Sequence, residues 1–135
     1  MLSVFFFYGA VGMLCLRLAL GAILVVHGAK KARDLKGTAA WFGSIGFRPG
    51  AFWGTLAAIL ELVGGIGLAV GIATQLFAFL LAGQFAVIIG WKLRTQSPFA
   101  GGWEFDLLIL ASLAALFLAG PGAYSVDRVW PILGI

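Results

Sequence analysis

The sequence predicts an all-α integral membrane protein: a four-helix bundle with a short interfacial helix between helices 1 and 2. Three observations point there. Of 135 residues, 62% are hydrophobic and only 10% charged, with a mean hydropathy of +1.09. Soluble domains run near half apolar and about a quarter charged. The apolar residues gather in four runs, each near the length needed to cross roughly 30 Å of hydrocarbon. None of the runs alternates with the period of two that a barrel strand needs, and the helix is the other structure that satisfies its own backbone in lipid.

The spans fall at about 4–27, 52–72, 75–91 and 105–119, within a single transmembrane domain over 1–135 that leaves no room for a soluble catalytic module. Span 1 starts apolar at Met1 and has no Lys or Arg before Arg17. A cleavable signal needs a basic n-region, so the segment reads as a retained helix. About two residues around Thr74 separate spans 2 and 3, which predicts a tight antiparallel hairpin. In the first gap, Trp41, Phe42 and Ile45 share a face, which predicts a short interfacial helix over Thr38–Ile45. Gly46 and the turn Arg48-Pro49-Gly50 end it.

The charges orient the bundle. Lys30, Lys31, Arg33, Lys36, Arg48, Lys92 and Arg94 lie in the first and third gaps, while only Arg128 lies on the other side. Cytoplasmic loops carry the excess of Lys and Arg, so both termini are expected outside. Trp41, Trp53, Trp91 and Trp103 border the same predicted cytoplasmic face, as headgroup-seeking indoles should. The net charge of +4 thus reflects topology and not nucleic-acid binding, which needs a stacking platform in a basic groove.

Two charges fall inside spans, Arg17 and Glu61. Such groups face the bundle interior and have a partner or a job. Counting helix rise from Gly28 and from Phe52 puts Arg17 about 16 Å deep and Glu61 about 14 Å deep. The same count puts Gln84 and Ser112 at about 10–12 Å, so each span contributes to one polar layer. Small residues flank it. Arg17 shares a face with Gly21, Leu24 and Gly28, and Glu61 with Gly64, Gly65 and Leu68. Ala82, Ala86 and Gly90 repeat at intervals of four on span 3. Such spacings let helices approach closely, and Gly67 with Gly71 forms a G-x-x-x-G compatible with a homodimer.

Two readings of Arg17 and Glu61 stand side by side. One is a structural ion pair that sets helix register. The other is a site where a polar head group or a proton enters an apolar pocket. A quinone suits the second, with Arg17, Glu61 or Gln84 bonding its carbonyls. Lone Cys15 reads as a small buried hydrophobe, and His27 as an interfacial polar group. One histidine excludes bis-histidine haem, and no metal set is present. Glu104 and Asp106 open span 4, where carboxylates suit a helix N-terminus; Lys92 or Arg94 are their alternative partners. No catalytic residue is assigned.

These residues resemble the DoxX family of small four-helix membrane proteins, related to the DoxD and MauE groups. The resemblance runs over roughly Leu14 to Asp127. It rests on Arg17-Leu18-x-x-Gly21, His27-Gly28-x-x-Lys31, Gly37-Thr38, Glu61-Leu62-x-Gly64-Gly65 and Gly71-x-x-Thr74. Gly101-Gly102-x-Glu104 and Gly120-Pro121-Gly122-x-Tyr124-Ser125-x-Asp127 complete it. Ala32 departs, standing where the family often has a larger apolar residue. The resemblance implies a bacterial or archaeal cytoplasmic membrane and association with membrane oxidoreductase assemblies, including a membrane subunit of thiosulfate:quinone oxidoreductase. The family's recurring polar residues fall on Arg17, Lys31, Glu61, Glu104 and Asp127, which adds Lys31 to Arg17, Glu61 and Gln84 as a candidate binding residue.

The expected function is a membrane subunit of an oxidoreductase system that binds a quinone or similar lipophile. The chain carries no redox group of its own, so a bound quinone or a redox partner on the cytoplasmic face would supply it. The alternatives are a non-catalytic anchor or scaffold, and a small transporter. Few polar residues in the outer halves of spans 2 and 3 disfavour the transporter.

Overall fold

The computed structural model describes residues 2–131, with side chains from Tyr8 onward. Met1 and residues 132–135, which the domain read from the sequence includes, lie outside the described residues. Helix α1 spans Leu2–Arg33, α2 Leu35–Ser44, α3 Gly50–Val70 and α4 Thr74–Arg94. A kinked turn over Phe99–Trp103, with Ala100 extended and Gly101 at φ of 75°, leads into α5, Glu104–Ala119, and a single turn, α6, covers Val126–Val129. The described residues include no strand. Four helices, Tyr8–Arg33, Gly50–Val70, Thr74–Arg94 and Phe99–Ala119, are long and apolar enough to cross a membrane.

The bundle is two antiparallel pairs. α1 packs mainly on α3, and α4 mainly on α5. The core runs through both pairs, with Leu20 and Leu24 from α1, Leu68 from α3, Leu81 and Phe85 from α4, and Ile109, Leu113 and Leu116 from α5. Residues such as Ile59, Val63, Ile66, Phe79 and Leu118 are exposed on the flanks, an apolar surface suited to lipid contact.

Missing side chains set the α1–α3 interface. A Cβ at Gly21 would sit 2.6 Å from the Gly65 carbonyl oxygen, and one at Gly65 would sit 2.9 Å from the Val25 nitrogen. A Cβ at Gly28 would strike the backbone of Glu61 and Leu62. Gly21 and Gly28 of the stripe expected on α1 pack against α3, and of the α3 stripe Gly65 meets α1 while Gly64 faces Phe77 and Leu81 of α4. The stripe expected on span 3 does not pack this way: Ala86 and Gly90 are exposed, and α4 instead buries Ala78, Leu81, Phe85 and Ile89.

These contacts fix the register. Gly28 lies level with Glu61 and Leu62, Gly21 with Gly65 and Ala69, and Arg17 with Gly71. Arg17 is therefore about 16 Å along α1 from the level of Glu61, eleven residues at helical rise. The expectation of one shared polar layer is corrected. The depth count assumed that span 1 ends near Gly28, level with Phe52. In fact α1 continues to Arg33, and the N-terminal turns of α3 project past it. There α2 folds back, with Gly50 and Gly54 of α3 against Thr38 and Ala39.

Three smaller expectations also change. Cys15 is exposed on α1. Ser112 donates to the Leu108 carbonyl of its own helix, at 2.8 Å, and joins no layer. Gly67 and Gly71 are occupied within the chain, Gly67 by the Phe77 ring and Gly71 by Arg17 and Ser125. The G-x-x-x-G motif therefore gives no ground for a homodimer.

Candidate lipophile-binding cavity

α3 and α4 are close at their hairpin and diverge away from it. At the hairpin, a Cβ on Gly64 would meet Leu81 Cδ1 at 3.0 Å, and Gly67 lies against the Phe77 ring. Further along stand larger residues, Leu56, Leu60 and Trp53 on α3 and Val87, Ile88 and Trp91 on α4. They hold the helices apart around a cavity of about 560 Å³.

α2 roofs this space. Asp34 starts α2 by accepting from the Gly37 N–H at 2.9 Å, so one of the helix's free donors is satisfied. Trp41, Phe42 and Ile45, the face read from the sequence, all line the cavity. The roof is tied to both walls through rings. Trp41 lies 6.0 Å from Trp91 on α4, and Phe42 lies 6.0 Å from Phe47, which lies 6.4 Å from Trp53 on α3. Edge-to-face pairs of this kind suit ring quadrupoles. No residue of α2 is buried. Leu56, Leu80 and Val87 line the cavity and are themselves exposed, so the cavity is open and not sealed inside the bundle.

The polar groups converge at the cavity's inner end. Glu61 is 1% exposed. Its Oε2 lies 2.5 Å from Lys31 Nζ, and its Oε1 accepts from Gln84 Nε2 at 2.6 Å. A carboxylate only accepts, so it takes the donor end of the Gln84 amide and turns the carbonyl end away. That oxygen, Gln84 Oε1, is buried with no hydrogen-bond partner. At the rim, Lys92 Nζ lies 2.6 Å from Asp106 Oδ2 and also donates to the Gly102 carbonyl at 3.0 Å. Glu104 instead accepts from the Gly101 N–H at 2.9 Å. His27 is exposed at the cavity wall, 6.4 Å from the Phe105 ring. Among the described residues, no three His, Cys, Asp or Glu side chains group to hold a metal ion.

Of the four candidate binding residues, Lys31, Glu61 and Gln84 meet here and Arg17 does not. Arg17 is fully buried at the other end of the α1–α3 interface, where its Nη2 donates to the Tyr124 carbonyl. The segment after α5 wraps around this point. The Asp127 N–H donates to the Gly71 carbonyl at 2.9 Å. The Asp127 carboxylate accepts from the Ala73 and Thr74 N–H groups, each at 2.8 Å. It thereby satisfies donors that the start of α4 would otherwise leave open. Gly71 ends α3 with φ of 81°, a left-handed conformation that suits glycine. Arg17 thus ties the terminal segment to α1 beside Gly71, and Asp127 ties it to the α3–α4 hairpin. The postulated Arg17–Glu61 pair is absent, because the register separates the two.

Lys31 was the partner that helix periodicity could have revealed. It lies fourteen residues after Arg17, on the stripe of Gly21, Leu24 and Gly28. Extending that stripe by one turn puts an ammonium opposite Glu61.

The sequence pattern of the DoxX family matches residues 12–93. The chain belongs to the DoxX family. A relative in Bacillus subtilis bears the name "Putative oxidoreductase CatD" and is 39% identical over 121 residues, covering 87% of this chain and 85% of its own. The inner membrane protein YqjF of Escherichia coli is 31% identical, covering 88% and 92%. An uncharacterized membrane protein of Mycobacterium tuberculosis is 30% identical, covering 89% and 82%. No solved structure matches. The matched DoxX segment holds α1 from Gly12, the roof α2, α3 and nearly all of α4, hence the Lys31–Glu61–Gln84 chain. It stops before Tyr124 and Asp127.

Proposed function

We propose that this DoxX-family protein is a membrane subunit of an oxidoreductase system whose cavity binds a lipophile with a polar head, a quinone being the fitting cofactor. The observation that carries the reading is the cavity itself: about 560 Å³, walled by aromatic and aliphatic side chains, with Lys31, Glu61 and Gln84 joined at its inner end. Ligand sites are mostly apolar clefts with a few convergent polar groups. The oxidoreductase part draws on the name of the Bacillus subtilis relative.

In this reading Lys31 has N–H donors left for a head-group oxygen, and Glu61 positions Lys31 and Gln84. Trp41, Phe42, Trp53 and Trp91 hold the ring and exclude water. The open side of the cavity along Leu56, Leu80 and Val87 lets a tail reach the bilayer. A quinone supplies two-electron chemistry when bound, and a partner supplies or takes the electrons. The end bearing the cavity carries exposed Lys30, Arg33, Lys36, Arg48 and Arg94, so it faces the cytoplasm with both termini outside. There it offers a basic surface to an acidic redox partner.

The test is mass-spectrometric identification of lipophiles that co-purify with the solubilised protein. A near-stoichiometric quinone in the wild type, lost in Glu61→Gln with helicity retained, is the expected result. A wild type without any lipophile would leave the protein as a membrane anchor for a redox partner.

A further inference from the structure

We infer that a phospholipid binds in a second groove, between the end of α2 and the last two turns of α4, with its phosphate on Arg94. The inference does not depend on what the larger cavity holds.

The groove measures about 530 Å³ and owes its space to missing side chains. Val87, Gly90, Trp91 and Arg94 line it from α4, and their spacing of i, i+3, i+4 and i+7 puts them on one helix face. Gly90 stands in the middle of that face, where a Cβ would meet nothing within 4 Å. The opposite wall is Ile45, Gly46 and Phe47, with Gly46, at φ of 98°, turning the chain after α2. Phe47, Val87 and Trp91 also line the cavity, so the groove lies against the cavity's α2–α4 wall.

The groove changes from apolar to cationic in the direction that a phospholipid does. The span ends at Arg94. Val87 lies seven residues earlier, about 10 Å deeper at helical rise. Trp91 stands between them, at the depth where indoles meet head groups. An acyl chain laid beside Val87 and Gly90 therefore brings its phosphate to Arg94. Arg94 is exposed, and among the described residues no ion pair or hydrogen bond engages its guanidinium. Lys92, two residues earlier, is already spent on Asp106 and the Gly102 carbonyl. A guanidinium fork matches two phosphate oxygens, and basic pockets between helices at the membrane boundary suit lipid head groups.

The experiment is native mass spectrometry of the full chain in detergent, titrated with dioleoyl phosphatidylglycerol, with dioleoylglycerol, which lacks the phosphate, and with glycerol 3-phosphate, which lacks the chains. The expected result is one phosphatidylglycerol held about tenfold or more tighter than either of the others, as the loss of a charged hydrogen bond predicts. Arg94→Gln should weaken it by about tenfold, and Gly90→Leu, which fills the groove, should do the same. Lys30→Gln, at the same end of the bundle and outside the groove, should leave it unchanged. Glycerol 3-phosphate binding as tightly as the lipid overturns the lipid assignment and leaves a free-phosphate site. Dioleoylglycerol binding as tightly overturns the phosphate contact. No loss in Arg94→Gln, or an equal loss in Lys30→Gln, overturns the site and leaves only general attraction to a basic surface. If Gly90→Leu fails to fold, Arg94→Gln and the three probes still decide.

Discussion

Lys31 Nζ lies 2.5 Å from Glu61 Oε2, across the point where Gly28 lets α1 touch the α3 backbone. A charge in a span needs a partner, and here the partner comes from the last turn of α1. Its alkyl stem runs along the cavity wall while the carboxylate stays buried. The pair therefore belongs to both a helix interface and a cavity. Removing either member should affect stability and ligand binding together.

Stability is the first consequence. Glu61→Leu leaves the Lys31 ammonium and the Gln84 amide without their acceptor. Breaking a buried pair costs about 3–5 kcal/mol; partial exposure of Lys31 puts this one at the lower end. Lys31→Met combined with Glu61→Leu should recover much of the loss, because two apolar residues replace two charges. Thermal unfolding in detergent, followed by circular dichroism, compares the single and double variants.

Arg17 gives a contrasting result. Arg17→Gln should loosen the segment around Tyr124 and Asp127, speeding hydrogen exchange and proteolysis there. Its effect on lipophile binding should be small, since Arg17 lies about 16 Å along the helix from the Glu61 level. A matching expectation holds for Asp127→Ala, which removes the cap on α4 and should cost about 1 kcal/mol without changing the cavity.

The glycines divide sharply. Gly21→Val should disrupt the α1–α3 pair, because its Cβ would meet the Gly65 backbone oxygen at 2.6 Å, which no rotamer change can relieve. Gly83→Ala and Gly90→Ala meet nothing within 4 Å and should stabilise α4 by up to about 1 kcal/mol through helix propensity. Parallel melting curves of the three variants check both directions.

The roof can be weakened without loss of the fold. α2 buries no residue, so Trp41→Ala should leave helicity and melting temperature nearly unchanged. It should still lower the affinity of a bound lipophile, by removing a cavity wall and the ring contact to Trp91. Ligand titration beside a melting curve separates the two effects.

Much of this was legible in the sequence, and the exceptions have physical causes. The helices were readable because lipid leaves so few ways to satisfy a backbone. α2 showed itself through one aromatic face, and the α1–α3 interface through its glycines. Glu61 stood out as a buried charge. Its partner was misassigned because depth was counted from two ends assumed to share a plane, whereas α3 projects beyond α1 to receive α2. The Arg17 contact lay hidden for a different reason. It uses the backbone carbonyl of Tyr124, a group that every residue possesses, so no side-chain pattern announces it. The cavity also escaped the sequence, since it arises from the divergence of two helices.

The central claim is that a lipophile binds between α3 and α4, under α2, at Lys31–Glu61–Gln84. The most direct measurement is photolabelling of the membrane-embedded protein with a photoactivatable quinone analogue, followed by peptide mapping. The account predicts label within residues 41–60 and 80–91, suppressed by excess unlabelled decyl quinone. Label around Arg17, Gly71 and Tyr124, or label spread over the lipid-facing flanks and unaffected by competitor, would contradict it.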